Sequence, residues 1–383
     1  MKKILFNEPF LTGNELDYIK DVFTQKQFYG TGKYTKLCTE LISKRLSCKH
    51  ALLTDSCTSA LEIIALLLRD NNKRQEIILP SYTFSSTASA FARAGFELIF
   101  AEVDPKSMML DPANVETKLT EFTTAVITVH YGGYCSDLSA LKSICDVNNI
   151  YFIEDAAQAF DAWKDNKALG TFGDFGAFSF HETKNIHAGL SGALLINIDG
   201  FEDRARHIWE RGTNRQEVLK GLVDKYSWVE IGGSFYPSEL QAAFLYAQLQ
   251  AVEKNKEERK QIFTRYVEKL IPLKEKNLLW FPDKQPGYES NFHAFWIQLS
   301  NEEECDRVRQ GLSNQQIAAY IGYVPLHSSK VGLSMGYTAN SLPITEKYAN
   351  QLLRLPLHNA MSKQDVDRVC QNITEILSGQ TKF

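Results

Sequence analysis

The sequence predicts an α/β protein in which a large domain, built on a mostly parallel seven-stranded sheet, carries a smaller α+β domain at its C-terminal side. Three observations point there. Seven short β-branched runs alternate with segments whose apolar residues recur at three- and four-residue spacing, and such alternation implies a parallel sheet covered on both faces. The length, 383 residues, exceeds one typical domain. Apolar residues at 44% and charged residues at 23% match an ordinary globular composition, which excludes disordered, collagen-like and coiled-coil chains.

The expected strands are 51–53, 76–79, 97–100, 125–129, 151–154, 176–179 and 193–197, with helices over 59–69, 85–94 and 138–148 between them. A further helix opens at Ser238, because Ser-Glu-Leu-Gln at 238–241 has the order of a capping box. The pattern predicts that it runs unbroken to residue 270. Its charged stretch 253–260 faces water, whereas Leu240, Phe244 and Leu249 pack, so this helix links the domains. After the turn-rich 281–287, residues 294–299 begin the small domain as a strand. The expected division is 1–250 for the large domain and 251–383 for the small one.

Several function classes drop out. The formal net charge is −4 and no basic run occurs, so the electrostatic footprint of a nucleic-acid binder is missing. The longest apolar stretches, such as 60–68, fall short of the roughly 18 to 20 residues of a membrane helix. Asn7, Glu8 and Pro9 interrupt the amino terminus before a signal-peptide core forms, which places the expected location in the cytoplasm. Seven cysteines form no CxxC pair, and the number is odd, so they read as reduced thiols. No two histidines stand at metal-ligand spacing, and no metal is expected.

Parallel sheets place functional groups at the carboxyl ends of their strands. After the first strand, Asp55-Ser56-Cys57-Thr58-Ser59 opens a helix, and Thr58 with Ser59 serves either as a phosphate seat or as an ordinary N-cap. After the second comes Pro80-Ser81-Tyr82-Thr83-Phe84, with an aromatic that either stacks on a planar ligand or fills the core. The fourth ends in His130, a ligand contact or a satisfied buried imidazole. The fifth gives Glu154-Asp155-Ala156-Ala157-Gln158, and an acid there needs a cationic partner if buried. The sixth gives Phe178-Ser179-Phe180-His181-Glu182-Thr183-Lys184-Asn185, where Lys184 is either a loop salt bridge or a reactive amine.

Phosphate seat, aromatic plate, carboxylate and lysine together point to pyridoxal phosphate bound through a lysine. Thr58, Ser59 and Ser179 can anchor the phosphate, and Phe84 can hold the ring flat. Asp155 can keep the pyridine nitrogen protonated by opposite-charge stabilisation. Gln158 can donate to the ring hydroxyl, and Lys184 can move the proton between substrate carbon and cofactor.

These motifs resemble those of the DegT/StrS-type sugar-nucleotide aminotransferases, whose fold is aspartate-aminotransferase-like (pyridoxal phosphate fold type I). The resemblance covers most of the chain, from Phe28-Tyr29-Gly30-Thr31-Gly32 to Pro325-Leu326-His327. It implies Lys184 as the Schiff-base lysine, Asp155 at the pyridine nitrogen, Gln158 at the ring hydroxyl, Phe84 as the stacking ring, and Thr58, Ser59 and Ser179 at the phosphate. His181 is similar to the branch that aminates carbon 4 of a keto-sugar. The stretches Arg211-Gly212-Thr213-Asn214-Arg215 and Asp224-Lys225-Tyr226-Ser227-Trp228 resemble the branch that makes dTDP-4-amino-4,6-dideoxygalactose. Arg215 and Tyr226 then contact the nucleotide-sugar, or form a surface ion pair and a packing ring; His327 is a further substrate contact on the same resemblance.

Three positions depart from the family pattern. Leu190-Ser191-Gly192 stands where a glutamate is usual, Gly233-Ser234-Phe235 where an asparagine often reaches a partner subunit, and Gly322-Tyr323 where a His-Tyr pair is common. The resemblance implies a homodimer with a shared site, L-glutamate as amino donor and dTDP-4-keto-6-deoxyglucose as acceptor. Alternatives are the gluco product, carbon 3 amination, a sugar dehydratase, against which Lys184 speaks, and a non-catalytic sensor of the cofactor.

Overall fold

The computed structural model describes residues 2–379; Met1 and residues 380–383, at the outer edges of the two expected domains, lie outside the described residues. Seven strands form the central sheet: β1 (His50–Thr54), β2 (Glu76–Pro80), β3 (Glu97–Ala101), β4 (Thr123–Val129), β5 (Tyr151–Asp155), β6 (Phe175–Ser179) and β7 (Gly192–Ile196). Each lies within two residues of its expected limits. Their order is β1-β7-β6-β5-β4-β2-β3. All pairs are parallel except those of β7, which runs antiparallel to both β1 and β6. Every residue of β2, β6 and β7 is buried, which is why these segments read as continuous apolar runs rather than alternating ones. Alternate residues feed two cores: Ile78, Val126, Phe152 and Phe178 point to one face, and Ile77, Ile127, Ile153 and Phe175 to the other.

Helices α1 (Glu15–Gln25), α2 (Lys33–Leu46), α3 (Cys57–Leu68), α4 (Ser85–Arg93) and α5 (Leu138–Asn148) occupy the first 150 positions, with a shorter helix at Pro112–Lys118. The Ser238 capping box forms as expected. The helix it opens is broken, however: α6 (Glu239–Gln250) ends at Ala251, whose φ of −104° and ψ of 13° leave the helical region, and α7 (Val252–Glu275) continues in its place. Side chains fix the restart. Asn255 donates to the Asn185 carbonyl at 2.8 Å, and Lys256 and Arg45 both pair with Asp161, at 3.1 and 2.8 Å. The helix also passes the expected end at 270 and tolerates Pro272 in its last turn.

The second half of α7 packs with α8 (Lys363–Leu377) and a three-stranded antiparallel sheet in which Leu352–Leu355 lies between Phe295–Gln298 and Tyr320–Ile321. The expected division at 250 is crossed twice. Ile4 bonds to Gln316 and Ala318 and is buried in the small core, so the amino terminus serves the small unit. Conversely, Leu342 packs in the large core, and Thr345 donates to the Glu102 carboxylate on the large unit. Sequence order alone does not reveal such exchanges.

One buried acid ties the amino-terminal region to α6. Glu239, 2% exposed, accepts from the N–H groups of Gly32 (3.0 Å), Tyr34 (2.8 Å) and Thr35 (3.2 Å) and from the Thr35 hydroxyl. It therefore caps α2 from another helix, filling the role that a local serine or aspartate usually takes. Glycine at 32 leaves room for this cap, since a Cβ there would lie 2.6 Å from the Glu239 carboxyl carbon and push the carboxylate aside. Replacing Glu239 by alanine removes a charged acceptor from several buried donors, and we expect a loss of about 2–4 kcal/mol. The check is a lowered urea midpoint with an unchanged slope; a variant unfolding at the wild-type midpoint would contradict it.

Candidate active site

The sheet brings Asp155, at the carboxyl end of β5, beside β6, whose extension carries Lys184. Asp155 is 4% exposed. Its Oδ2 accepts from the Thr87 hydroxyl on α4 at 2.7 Å and its Oδ1 from the Ala157 N–H at 3.1 Å. Burial pushes its carboxyl above the usual range, with Thr87, the Ala157 N–H, Lys184 and His130 pulling the other way. Asp155 has no ion pair among the described residues. The adjacent Glu154 is satisfied instead: it accepts from His130 Nε2 (2.8 Å) and from the N–H groups of Gly170 (2.8 Å) and Gly173 (2.6 Å). Of the two acids that the sequence left undivided, one braces the fold and the other stays open to a cation. His130 belongs to the brace.

Lys184 lies in the loop joining β6 to β7. Burial pushes its amine below the usual range, Cys57 and Asp155 pull it back, and the Arg354 guanidinium pushes it further down. Neither a loop salt bridge nor any other ion pair engages it among the described residues. Its neighbour is riveted. Asn185 donates to the Asn291 carbonyl at 2.7 Å, faces His293 Nδ1 at 2.9 Å, and accepts from Asn255 through its own carbonyl. Burial keeps His293 well below its usual pKa, so its ring is neutral.

The phosphate candidates meet along one register line. Thr54 at the end of β1 pairs with Gly192, and Gly192 pairs with Ser179 at the end of β6. Ser56 is the cap of α3, accepting from the Ser59 N–H at 3.1 Å, and the Ser59 hydroxyl lies 3.0 Å from that of Ser56. The cap alternative is thus met by Ser56, while the Thr58 hydroxyl has no hydrogen bond among the described residues. Ser179 Oγ accepts from the His181 N–H at 3.3 Å. Ser191, at the glutamate departure, is fully buried and donates to the Thr54 carbonyl, bracing the same edge.

Phe84 is 58% exposed rather than core, with its ring 6.0 Å from that of Tyr323. Tyr323 accepts from Gln158 Nε2 at 2.9 Å, and Gln158 Oε1 accepts from the Gly132 N–H at 2.7 Å. Gln158 keeps one amide hydrogen for a ring hydroxyl. Gly322 explains its own departure from the family pair: a Cβ there would overlap the buried Tyr82 hydroxyl, which contacts Tyr131 at 3.2 Å.

The expected substrate contacts fare unevenly. His181 is half-buried, with Nδ1 3.0 Å from the Thr183 hydroxyl. Arg215 is already paired, to the buried Glu210 at 2.7 Å and to the Tyr29 hydroxyl at 2.5 Å, with its guanidinium over the Tyr29 ring. Asn214 links this stretch to Lys225 and Ser227, so the exposed Tyr226 stands close in the fold. His327 is a correction. Fully buried, it commits Nδ1 to Ser81 (2.7 Å) and Nε2 to Glu346 (2.6 Å), which leaves no ring nitrogen for a substrate. Sequence reasoning does not single out Thr87, His293 or Arg354, because their partners lie far along the chain.

The arrangement fits pyridoxal phosphate. A desolvated carboxylate without a cation, an amine held below its usual pKa, an exposed aromatic face and the start of a 12-residue helix bearing a free hydroxyl supply one donor or acceptor for each part of that molecule.

The family model described as DegT/DnrJ/EryC1/StrS aminotransferase matches residues 9–374. The pleiotropic regulatory protein of Geobacillus stearothermophilus is 30% identical over 366 residues, covering 94% of each chain. GDP-perosamine synthase of Vibrio cholerae is 26% identical, with 96% of this chain and 97% of that one covered. Among solved structures, the aminotransferase TlmJ from Streptoalloteichus hindustanus superposes with a TM-score of 0.90 at 27% identity, covering 99% of this chain and 100% of that one. With the match spanning nearly its whole length, the chain belongs to the DegT/DnrJ/EryC1/StrS aminotransferase family.

Proposed function

We propose that this sugar-nucleotide aminotransferase moves nitrogen from L-glutamate to carbon 4 of dTDP-4-keto-6-deoxyglucose, giving the galacto amine, as a cytoplasmic homodimer. One observation carries the reading: Lys184 and Asp155 share a desolvated cleft, and neither is engaged in an ion pair among the described residues. Pyridoxal phosphate, when bound, supplies the electron sink that lets a proton leave the donor's α-carbon and return on the acceptor. Lys184 Nζ, held below its usual pKa, is poised to take that proton and give it back. Asp155 Oδ1 and Oδ2 hold a ring N–H by opposite charge, oriented by Thr87 and the Ala157 N–H. Thr58, Ser59 and Ser179 orient the phosphate, Phe84 covers one ring face, and Gln158 donates its remaining hydrogen to the ring hydroxyl.

His181 and the 211–228 stretch support carbon 4 and the galacto product by their likeness to that branch. A partner subunit is supported by the apolar side chains left outside on the 219–231 segment: Leu222 (70% exposed), Trp228 (75%) and Ile231 (62%). Among the described residues, no helix is long and apolar enough to cross a membrane.

Initial rates against both substrates are expected to give parallel double-reciprocal lines, and NMR coupling constants of the product to show an axial amine at carbon 4. Intersecting lines, an equatorial amine or amination at carbon 3 would each remove the corresponding part. Borohydride reduction should fix the cofactor to Lys184, and Lys184→Ala should lack both label and turnover. Sedimentation equilibrium should give twice the chain mass; a monomer that is fully active would refute the shared site.

The pKa directions add a stability prediction for the cofactor-free protein. Lys184 is lowered on folding, so between its folded and unfolded pKa values the unfolded chain binds more protons; the penalty is complete below the folded value, fades as pH rises above it and is gone above the unfolded value. Asp155 is raised on folding, so its penalty is absent below the unfolded value and complete above the folded one. Both penalties are therefore present at neutral pH. Lys184→Met and Asp155→Asn should each stabilise the cofactor-free protein there, seen as a raised urea midpoint. Urea titrations across pH provide the check, and destabilisation by both variants would contradict it.

A further inference from the structure

Arg354 is a guanidinium set into the wall of the active site without an acid to neutralise it among the described residues. It lies on the middle strand of the small sheet, stacked between the rings of Phe6 (5.2 Å to the centroid) and Tyr323 (5.6 Å). Its one hydrogen bond among the described residues runs from Nη2 to the Ile321 carbonyl at 3.3 Å, and its Nε is buried with no acceptor. Tyr323, on which it rests, is bonded to Gln158 and adjoins Phe84, so one ring separates the guanidinium from the groups assigned to the cofactor face. The rings of Tyr131 and Tyr82 pack against that of Tyr323 at 5.7 and 5.8 Å, and a guanidinium keeps its proton in such a setting, so Arg354 stays charged.

We propose that Arg354 binds the α-carboxylate of the amino donor and is thereby a specificity residue for the donor half of the reaction. This rests on the transaminase function proposed above. A planar fork with free N–H edges, desolvated beside a lysine whose amine feels its charge, is built for a carboxylate. Distance chooses which anion. In an α-amino acid the carboxylate is bonded to the carbon that carries the reacting amine, so it has to lie within a few ångströms of where Lys184 works. A nucleotide-sugar places its diphosphate across the sugar ring from carbon 4, too far out for this position. The keto-sugar offers only neutral oxygens there. One guanidinium can thus hold the donor tightly without retaining the acceptor.

The test uses the loaded enzyme with Arg354→Met and Arg354→Lys. Calorimetry with succinate, an unreactive dicarboxylate, reads the carboxylate site directly; the visible-band titration with glutamate and with the amino-sugar reads each half-reaction apart. Arg354→Met should weaken succinate and glutamate by about 30-fold or more, with the amino-sugar changed by less than about threefold. Arg354→Lys should recover part of the loss, which a folding defect would not allow. Unchanged succinate binding, an equal loss for donor and sugar, or a loss confined to the sugar would each overturn the assignment. Failure of the functional proposal is distinguishable: the wild type would then bleach with neither glutamate nor any amino-sugar, while its succinate affinity would still report on Arg354.

Discussion

Two opposite charges kept apart inside one desolvated cleft are the constraint on which this molecule is organised. Asp155 and Lys184 would gain by meeting, since each is pushed toward its neutral form by burial. Backbone pairing prevents it. The carboxylate ends a strand, the amine sits on the loop beyond the neighbouring strand, and both are held by groups that form no part of the chemistry. Thr87 fixes the acid from α4, while Asn291, His293 and Asn255 fix the residue next to the lysine. The fold stores the electrostatic tension that a cationic ligand between them relieves.

The same polar ties join the two units. Arg259, fully desolvated and pushed down to about 9, has no acid partner among the described residues; it spends its donors on the carbonyls of Phe292, His293 and Leu357. Asn359 donates to the Asn255 carbonyl on the same helix. Amide and guanidinium contacts of this kind are directional, so they set the angle of the small unit more sharply than an apolar seam of equal area would. That angle places Tyr323 against Gln158 and Phe84, and with it the outer wall of the site.

What the sequence disclosed follows from range. The seven strands were legible because burial on both faces turns each into an apolar run, and the Asp155 and Lys184 positions follow at once from the ends of those runs. The start of α6 was legible from a local capping box. Its end was not, because Ala251 is neither glycine nor proline and the break is imposed by Asn255 reaching a carbonyl 70 positions earlier. Arg354, Thr87 and the commitment of His327 to Ser81 and Glu346 were likewise invisible, since a side chain's partner across the fold leaves no trace in local spacing. Glycines at 32 and 322 carried the information in a form readable only afterwards, as places where a neighbour's polar group needs the room.

The cap on α2 also bears on the order in which the protein can be made. Gly32 and the Glu239 carboxylate are 207 positions apart, so a ribosome releases the second helix long before the acid that finishes it exists. Until then the emerging chain carries bare amide groups at that end, and the 28–32 turn, which also bonds to the Glu239 N–H through the Phe28 carbonyl, has nothing to lean on. Translation of the second half therefore completes the first, and a nascent chain stalled before codon 239 would leave the start of α2 without its cap.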